Sequence, residues 1–269
     1  MNLLICIAHH YTKNTFPLLC NVLDTIILTY KCQYKIVIQT NTEESLSALK
    51  EQLKRYASLL KEQKCSIDVI IYTDLNHPYL LTWQHRQYIL DHANEYDTFM
   101  YIEDDLVINY EQFTNYLDNF KHLWPNYVPS FLRYEVDPNN HKQYVPDYDR
   151  QIVIETNNVF KIHNKTFYRL KNHYSACWIC PKSILQEYLT SDFLFNAIKM
   201  PDGCIRERAA SFVNWYMGRD ILVQTEDGQC SNLSLIHHSS NNTRRANRPP
   251  EIPPEFGTIP VESLFVVNS

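Results

Sequence analysis

Three adjacent carboxylates, Glu103-Asp104-Asp105, follow directly on an apolar run, Thr98–Ile102. Side by side they repel, and a divalent cation held by oxygen ligands is the simplest compensating charge. The plainer reading is a solvated acidic turn. Arg86 carries a permanent charge that suits a phosphate or an acidic partner, or else a surface salt bridge or an internal bond to Asp104. In Arg206-Glu207-Arg208 two guanidiniums flank a carboxylate, which keeps it ionised and makes it a weaker base. Cys177-Trp-Ile-Cys180 has the C-x-x-C spacing, but no second pair follows at zinc-finger distance. The eight cysteines are therefore expected to be buried thiols.

The elements that must position these groups follow from hydrophobic periodicity. Leu3–Ala8 reads as a strand buried on both faces, and Lys35–Gln39, Ile67–Tyr72 and Thr98–Ile102 read as three further strands. Phe16–Tyr30, Glu43–Lys64 and Pro78–Asn94 lie between them and read as helices. Thr42 or Asn41 is the expected N-cap of the second, and Pro78 sits in the first turn of the third. Tyr110–Leu123 is a further helix. This β-α-β-α-β-α-β order predicts an α/β fold, with a mainly parallel central sheet and helices on both faces. Ligands of such sheets sit beyond the carboxyl ends of the strands. That rule points to His9–Tyr11, Gln39–Asn41, Tyr72–Asp74 and Glu103–Asp105.

The second half reads as smaller and mixed. Strands are expected at Val128–Glu135, Gln151–Glu155, Ile221–Thr225 and Leu233–Ile236, and helices at Ser183–Leu189 and Arg206–Met217. From Ser239 the chain turns polar, with Arg244, Arg245 and Arg248 followed by four prolines. The expected organisation is one domain over 1–240 and a mobile basic, Pro-rich tail over 241–269.

Residues 96–105, Tyr-Asp-Thr-Phe-Met-Tyr-Ile-Glu-Asp-Asp, resemble the DXD region of GT-A-fold, nucleotide-sugar-dependent glycosyltransferases. The segment His77–Arg86 resembles the helix of such enzymes that packs beneath the sugar nucleotide. The resemblance covers the architecture of residues 1–240. It makes 1–105 the nucleotide-sugar-binding half and 106–240 the acceptor half. It implies that the acidic triplet holds Mn²⁺ or Mg²⁺, which bridges the phosphates of a nucleoside diphosphate sugar, UDP being the commonest nucleotide. Asp105 is the first expected metal ligand and Glu103 the second. Glu stands where the family has Asp, so Glu103 is also a candidate for orienting ribose or sugar. Asp104 is left to the sheet or to the sugar.

The resemblance further implies nucleotide contacts at His9, His10 and Tyr11 and a base or ribose contact at Asn41. Asp74 is a further donor-binding candidate, as is Arg86. The catalytic base falls on Glu207, with Asp202 in reserve, although the acidic pair usual at this place is replaced by Arg206-Glu207-Arg208. A late histidine that completes the metal shell falls on His237 or His238. These would face opposite sides of a strand, so one of the two binds. Arg244 and Arg245 are expected to fold over the diphosphate. Tyr174 and Trp178 are expected to approach the donor sugar or the acceptor.

The implied activity is transfer of a hexose or pentose from the nucleotide to a hydroxyl of a glycan or glycoconjugate. Inversion is expected because Glu207 offers a base. Lys+Arg of 25 against Asp+Glu of 30 gives a net charge of −5, which argues against a nucleic-acid binder. Only four glycines are present, and neither G-x-G-x-x-G nor a Walker A loop can be found, so phosphate must be met by a cation and side chains. A hydrophobic content of 45% excludes disorder. No run reaches the ~18 apolar residues of a membrane span, and the expected location is cytoplasmic. Two other readings remain. A sugar nucleotidyltransferase would want glycine in the loop after Ala8. A catalytically silent carbohydrate-binding protein would keep the fold alone.

Overall fold

Leu3 through Ile7 expose no surface, which requires a layer on each face of the strand they form. The computed structural model describes residues 1–146, 153–171, 175–189, 205–210, 219–240 and 259–265. Its first elements are β1 (Asn2–His9), α1 (Phe16–Thr29), β2 (Gln33–Thr40), α2 (Glu43–Lys54), α3 (Ala57–Gln63) and β3 (Ser66–Ile71). A 3-10 helix (Pro78–Trp83), α4 (Gln84–Asp91) and β4 (Thr98–Glu103) follow. Then come β5 (Leu106–Val107), α5 (Tyr110–Leu123), β6 (Tyr127–Ser130), β7 (Leu132–Val136), β8 (Gln143–Tyr144), β9 (Val153–Ile162) and β10 (Lys165–Lys171). Further along lie β11 (Cys177–Pro181), α6 (Lys182–Tyr188), α7 (Ile205–Ala210), β12 (Asp220–Glu226), β13 (Gln229–Cys230) and β14 (Leu235–His238). The chain divides into two compact units, Met1–Leu106 with Ala176–Tyr216, and Val107–Ser175 with Met217–Ser269.

The first unit is built on a five-stranded sheet of order β11-β4-β1-β2-β3. β4, β1, β2 and β3 are parallel, and β11 closes the β4 edge antiparallel. The four parallel strands and their crossovers are the ones periodicity predicts. β11 is not; Cys177–Cys180 is a short, wholly buried run without alternation, which periodicity alone does not separate from a helix segment. Two expected helices are interrupted. Glu43–Lys64 breaks at Arg55–Tyr56, where Tyr56 turns inward and its hydroxyl donates to Asp24 of α1. Pro78–Asn94 begins as the 3-10 helix, whose N-cap is the ring of His77 accepting from Tyr79 N at 3.1 Å. Thr42 caps α2 as expected, accepting from Ser45 N.

The second unit holds a sheet of order β13-β12-β10-β9, with β6 beside β12, and β7 pairs with β14 and β8. Val128–Glu135 is thus two strands belonging to different sheets. The β9–β10 hairpin turns on His163 and Asn164, both at positive φ. Such a two-residue turn usually carries Asn-Gly or Asp-Gly, so its sequence signal is faint here. The Asp227-Gly228 turn between β12 and β13 is the usual kind. Ile259–Phe265, in the stretch expected to be a free tail, belongs to the second unit. Val145 N donates to Ile259 O at 3.1 Å, and Leu264 and Phe265 are buried in the unit's core. Among the described residues no helix is long and apolar enough to cross a membrane.

Candidate functional site

Strand register decides which side chains meet beyond the sheet. Ala8 stands opposite Gln39 of β2 and Glu103 of β4, and His9 stands opposite Thr40. Residues paired in register share a face, and the next residue takes the other. Glu103 therefore turns to the face of Ala8, and Asp104, continuing β4, turns to the face of His9. His9 Nδ1 lies 2.5 Å from Asp104 Oδ2, the imidazole N–H donating to the carboxylate. The His9 side chain is fully buried beside the rings of Tyr11 and Phe16, at 5.9 and 6.5 Å. Its Nε2 is buried and has no hydrogen-bond partner among the described residues. Burial pushes the Asp104 carboxyl above its ordinary range, and the neighbouring charge of Asp105 adds to this, while the bond from His9 opposes it.

Beyond the strand ends, Ala8, His10, Glu103 and Asp104 line a cavity of about 320 Å³ together with Pro78, Tyr79, Leu81, Thr82 and Arg206. Its floor is the strand ends, its apolar wall is the 3-10 helix, and its cation is Arg206 of α7. Arg206 Nε is 3.8 Å from Glu103 Oε1, and its guanidinium is 5.9 Å from the centre of the Tyr79 ring. Arg206 and Tyr79 were not expected at the site. Sequence places both in suggestive segments, but only the fold brings them to one cavity.

The other expected residues divide clearly. Tyr11 N donates to Asn41 Oδ1 at 2.8 Å, so Asn41 fastens the loop after β1. Thr15 Oγ1 donates to His10 O at 2.9 Å and steadies the same loop, leaving His10 exposed at the cavity. Asp74 is exposed beyond β3 and is not among the cavity residues. Arg86, expected to serve a phosphate, is instead fully buried. Its guanidinium lies over Trp83 at 4.2 Å and donates to Ala209 O at 3.0 Å. Trp178, expected near sugar, is likewise core. Its indole N–H donates to His85 Nε2 at 3.3 Å, while His85 Nδ1–H donates to Thr82 O at 2.6 Å. Burial, with Arg86 adjacent, holds His85 well below the usual histidine range. Cys177 and Cys180 are buried free thiols.

In the second unit, the His237 ring stacks on Tyr134 at 5.1 Å. His238 Nδ1 lies 2.7 Å from Glu135 Oε1, and its Nε2 lies 2.9 Å from Ser240 Oγ. Both nitrogens of His238 are therefore engaged within that unit. Asp202, Tyr174, Arg244 and Arg245 lie outside the described residues. Glu207 lies on α7, and its side chain is also outside them.

Among the described residues no three His, Cys, Asp or Glu side chains converge as a ready-made metal cage. The donors at the β4 end fit a different kind of site. Mn²⁺ and Mg²⁺ favour carboxylate oxygen, and Mg²⁺ is commonly held by one or two carboxylates, with substrate phosphates and water completing the shell. Glu103, Asp104 and Asp105 are carboxylates of that kind, Asp104 bonded to His9 and Glu103 near Arg206.

No protein-family profile and no curated protein sequence matches the chain. Among solved structures, GalNAc-T7 with UDP, GalNAc and Mn²⁺ superposes with a TM-score of 0.52 at 14% identity, over 93% of this chain and 45% of that one. Mouse xyloside xylosyltransferase 1, apo form, gives a TM-score of 0.31 at 12% identity, over 51% of this chain and 52% of that one. At such a score the second carries no weight. The first shows the fold, which is α/β and GT-A-like. The chain spans 45% of the length of that structure.

Proposed function

We propose that the protein is a metal-dependent glycosyltransferase that moves a sugar from a nucleoside diphosphate sugar, UDP being the nucleotide, to a hydroxyl of a glycan or glycoconjugate. The observation that carries the reading is the acidic end of β4, which opens on a cavity lined by the Arg206 guanidinium and an apolar wall. Its GT-A-like fold, shared with a structure containing UDP, GalNAc and Mn²⁺, supports the same reading.

Departure of a nucleoside diphosphate develops negative charge, which fixed positive groups must meet. Asp105 and Glu103 would hold Mn²⁺ or Mg²⁺, which when bound supplies Lewis-acid neutralisation of the diphosphate. Arg206 would neutralise phosphate oxygens from the cavity wall, and Glu103 would then be one of the groups to hold the cation. Pro78, Tyr79 and Leu81 give the nucleotide an apolar surface and exclude water, and His10 offers a hydrogen bond at the mouth. Asn41 acts through the backbone, by holding the loop that carries His10 and Tyr11. Glu207, with Asp202 in reserve, is the proposed base, and inversion follows from that assignment.

The test is calorimetry of UDP with and without Mn²⁺. Mn²⁺ is expected to promote binding, and Asp105→Ala to abolish that gain. Unchanged affinity in the variant sinks the metal assignment. Slow Mn²⁺-dependent release of UDP from a UDP-sugar separates a transferase from a silent binding protein.

A further inference from the structure

Three repelling carboxylates in sequence need a fixed turn before they can share a cation, and the fold supplies an anchor for it in His9. The side chain sits at the last position of β1, fully buried, on the sheet face opposite Ala8 and Glu103. Asp104, the residue after β4, is turned to that face by strand alternation. There it meets His9 Nδ1 at 2.5 Å. We infer that His9 is a positioning residue, which fixes the Asp104 carboxylate and thereby sets the acidic turn that carries Glu103 and Asp105 toward a divalent cation. The inference rests on the function proposed above. It also replaces the sequence expectation for His9: a ring with no exposed surface, boxed by Tyr11 and Phe16, is not available to a nucleotide.

A carboxylate fixed by a neighbour outside the metal shell is a recognised way to orient the ligands, and loss of such a partner costs about 10–100-fold in metal affinity. The bond uses Nδ1 alone, which makes the proposal specific. An Asn amide nitrogen falls near Nδ1 of the ring it replaces, whereas a Gln amide nitrogen falls near Nε2.

The experiment titrates MnCl₂ alone into the full chain, following free Mn²⁺ by electron paramagnetic resonance. The proteins are wild type, His9→Asn, His9→Gln, Asp104→Ala, Asp105→Ala and the double variant His9→Gln with Asp104→Ala, each checked for native circular dichroism. His9→Asn is expected to bind close to wild type and His9→Gln to lose about tenfold or more. His9→Gln added to Asp104→Ala is expected to cost nothing further, because His9 acts through Asp104. Equal affinities for His9→Gln and wild type overturn the inference, as do additive losses in the double variant. If His9→Gln does not fold, His9→Asn decides: binding as weak as Asp104→Ala overturns the inference, and near-wild-type binding supports it. A wild type that binds no Mn²⁺, or an Asp105→Ala variant that binds it equally well, overturns the functional reading itself. Loss in Asp105→Ala with none in His9→Gln overturns only the role of His9.

Discussion

Arg206→Ala separates a binding role from a folding role, because the geometry predicts very different sizes for the two. The side chain is 47% exposed, and its Nε stands 3.8 Å from Glu103 Oε1. An ion pair this exposed is screened by water and salt and contributes about 0–1 kcal/mol to stability. Its approach to Tyr79, at 5.9 Å, adds about 0.5–1 kcal/mol at an exposed site. The whole truncation should therefore cost below about 2 kcal/mol, a melting shift of a few degrees for a chain of this size. A hydrogen bond from a guanidinium to a phosphate is a charged one, worth about 1.5–3 kcal/mol. At about 1.4 kcal/mol per factor of ten, UDP affinity in Mn²⁺ should fall about 10–100-fold. Isothermal titration calorimetry with UDP and Mn²⁺ reads the binding term, and scanning calorimetry of the same protein reads the folding term. Unchanged UDP affinity would refute the phosphate role. A fall in melting temperature above about 10 °C would show instead that Arg206 belongs to the folded framework, and the reasoning from exposure would be wrong.

Other outcomes follow from the described packing. His85 is neutral when folded because burial holds it well below its ordinary range, whereas the unfolded chain takes up a proton near pH 6.5. The unfolded state then binds more protons, so stability is lost as pH falls below about 6.5, with a slope from this group of up to about 1.4 kcal/mol per pH unit. Urea denaturation between pH 7.5 and 5 should show a shallower pH dependence in His85→Phe; an identical slope would refute the assignment. Phe265 is buried against Tyr168, at 4.9 Å between ring centres, so Phe265→Ala should cost about 3–5 kcal/mol. A melting curve that does not move would show that the end of the chain does not support the second unit.

The parallel sheet was legible because each of its strands is a short apolar run, and because each crossover between them carries helical spacing. The acidic end of β4 was equally plain, since three adjacent carboxylates after an apolar run repel one another and mark where the strand ends. Where the reading stopped is also physical. Arg86 and Arg206 are the same residue type, but the first is sealed by a carbonyl at Ala209, distant in sequence, and the second is left facing a cavity. The interruption at Tyr56 has no Pro or Gly to announce it, because its cause is a bond to Asp24 on another helix. The β9–β10 hairpin was hidden by a His-Asn turn, and β11 by an edge pairing that no local pattern encodes.

By itself, then, the sequence determined the α/β order, the strand ends at which a ligand would sit, and the negative charge waiting at one of them. Those are properties of local pattern: hydrophobic period, turn chemistry and charge. Only the tertiary structure decided how that charge is divided. Register placed Glu103 and Asp104 on opposite faces, gave Asp104 to a buried histidine from β1, and brought Arg206 to the cavity from far along the chain. A one-residue slip of β4 against β1 would exchange those faces, and no property of the acidic triplet alone resists it.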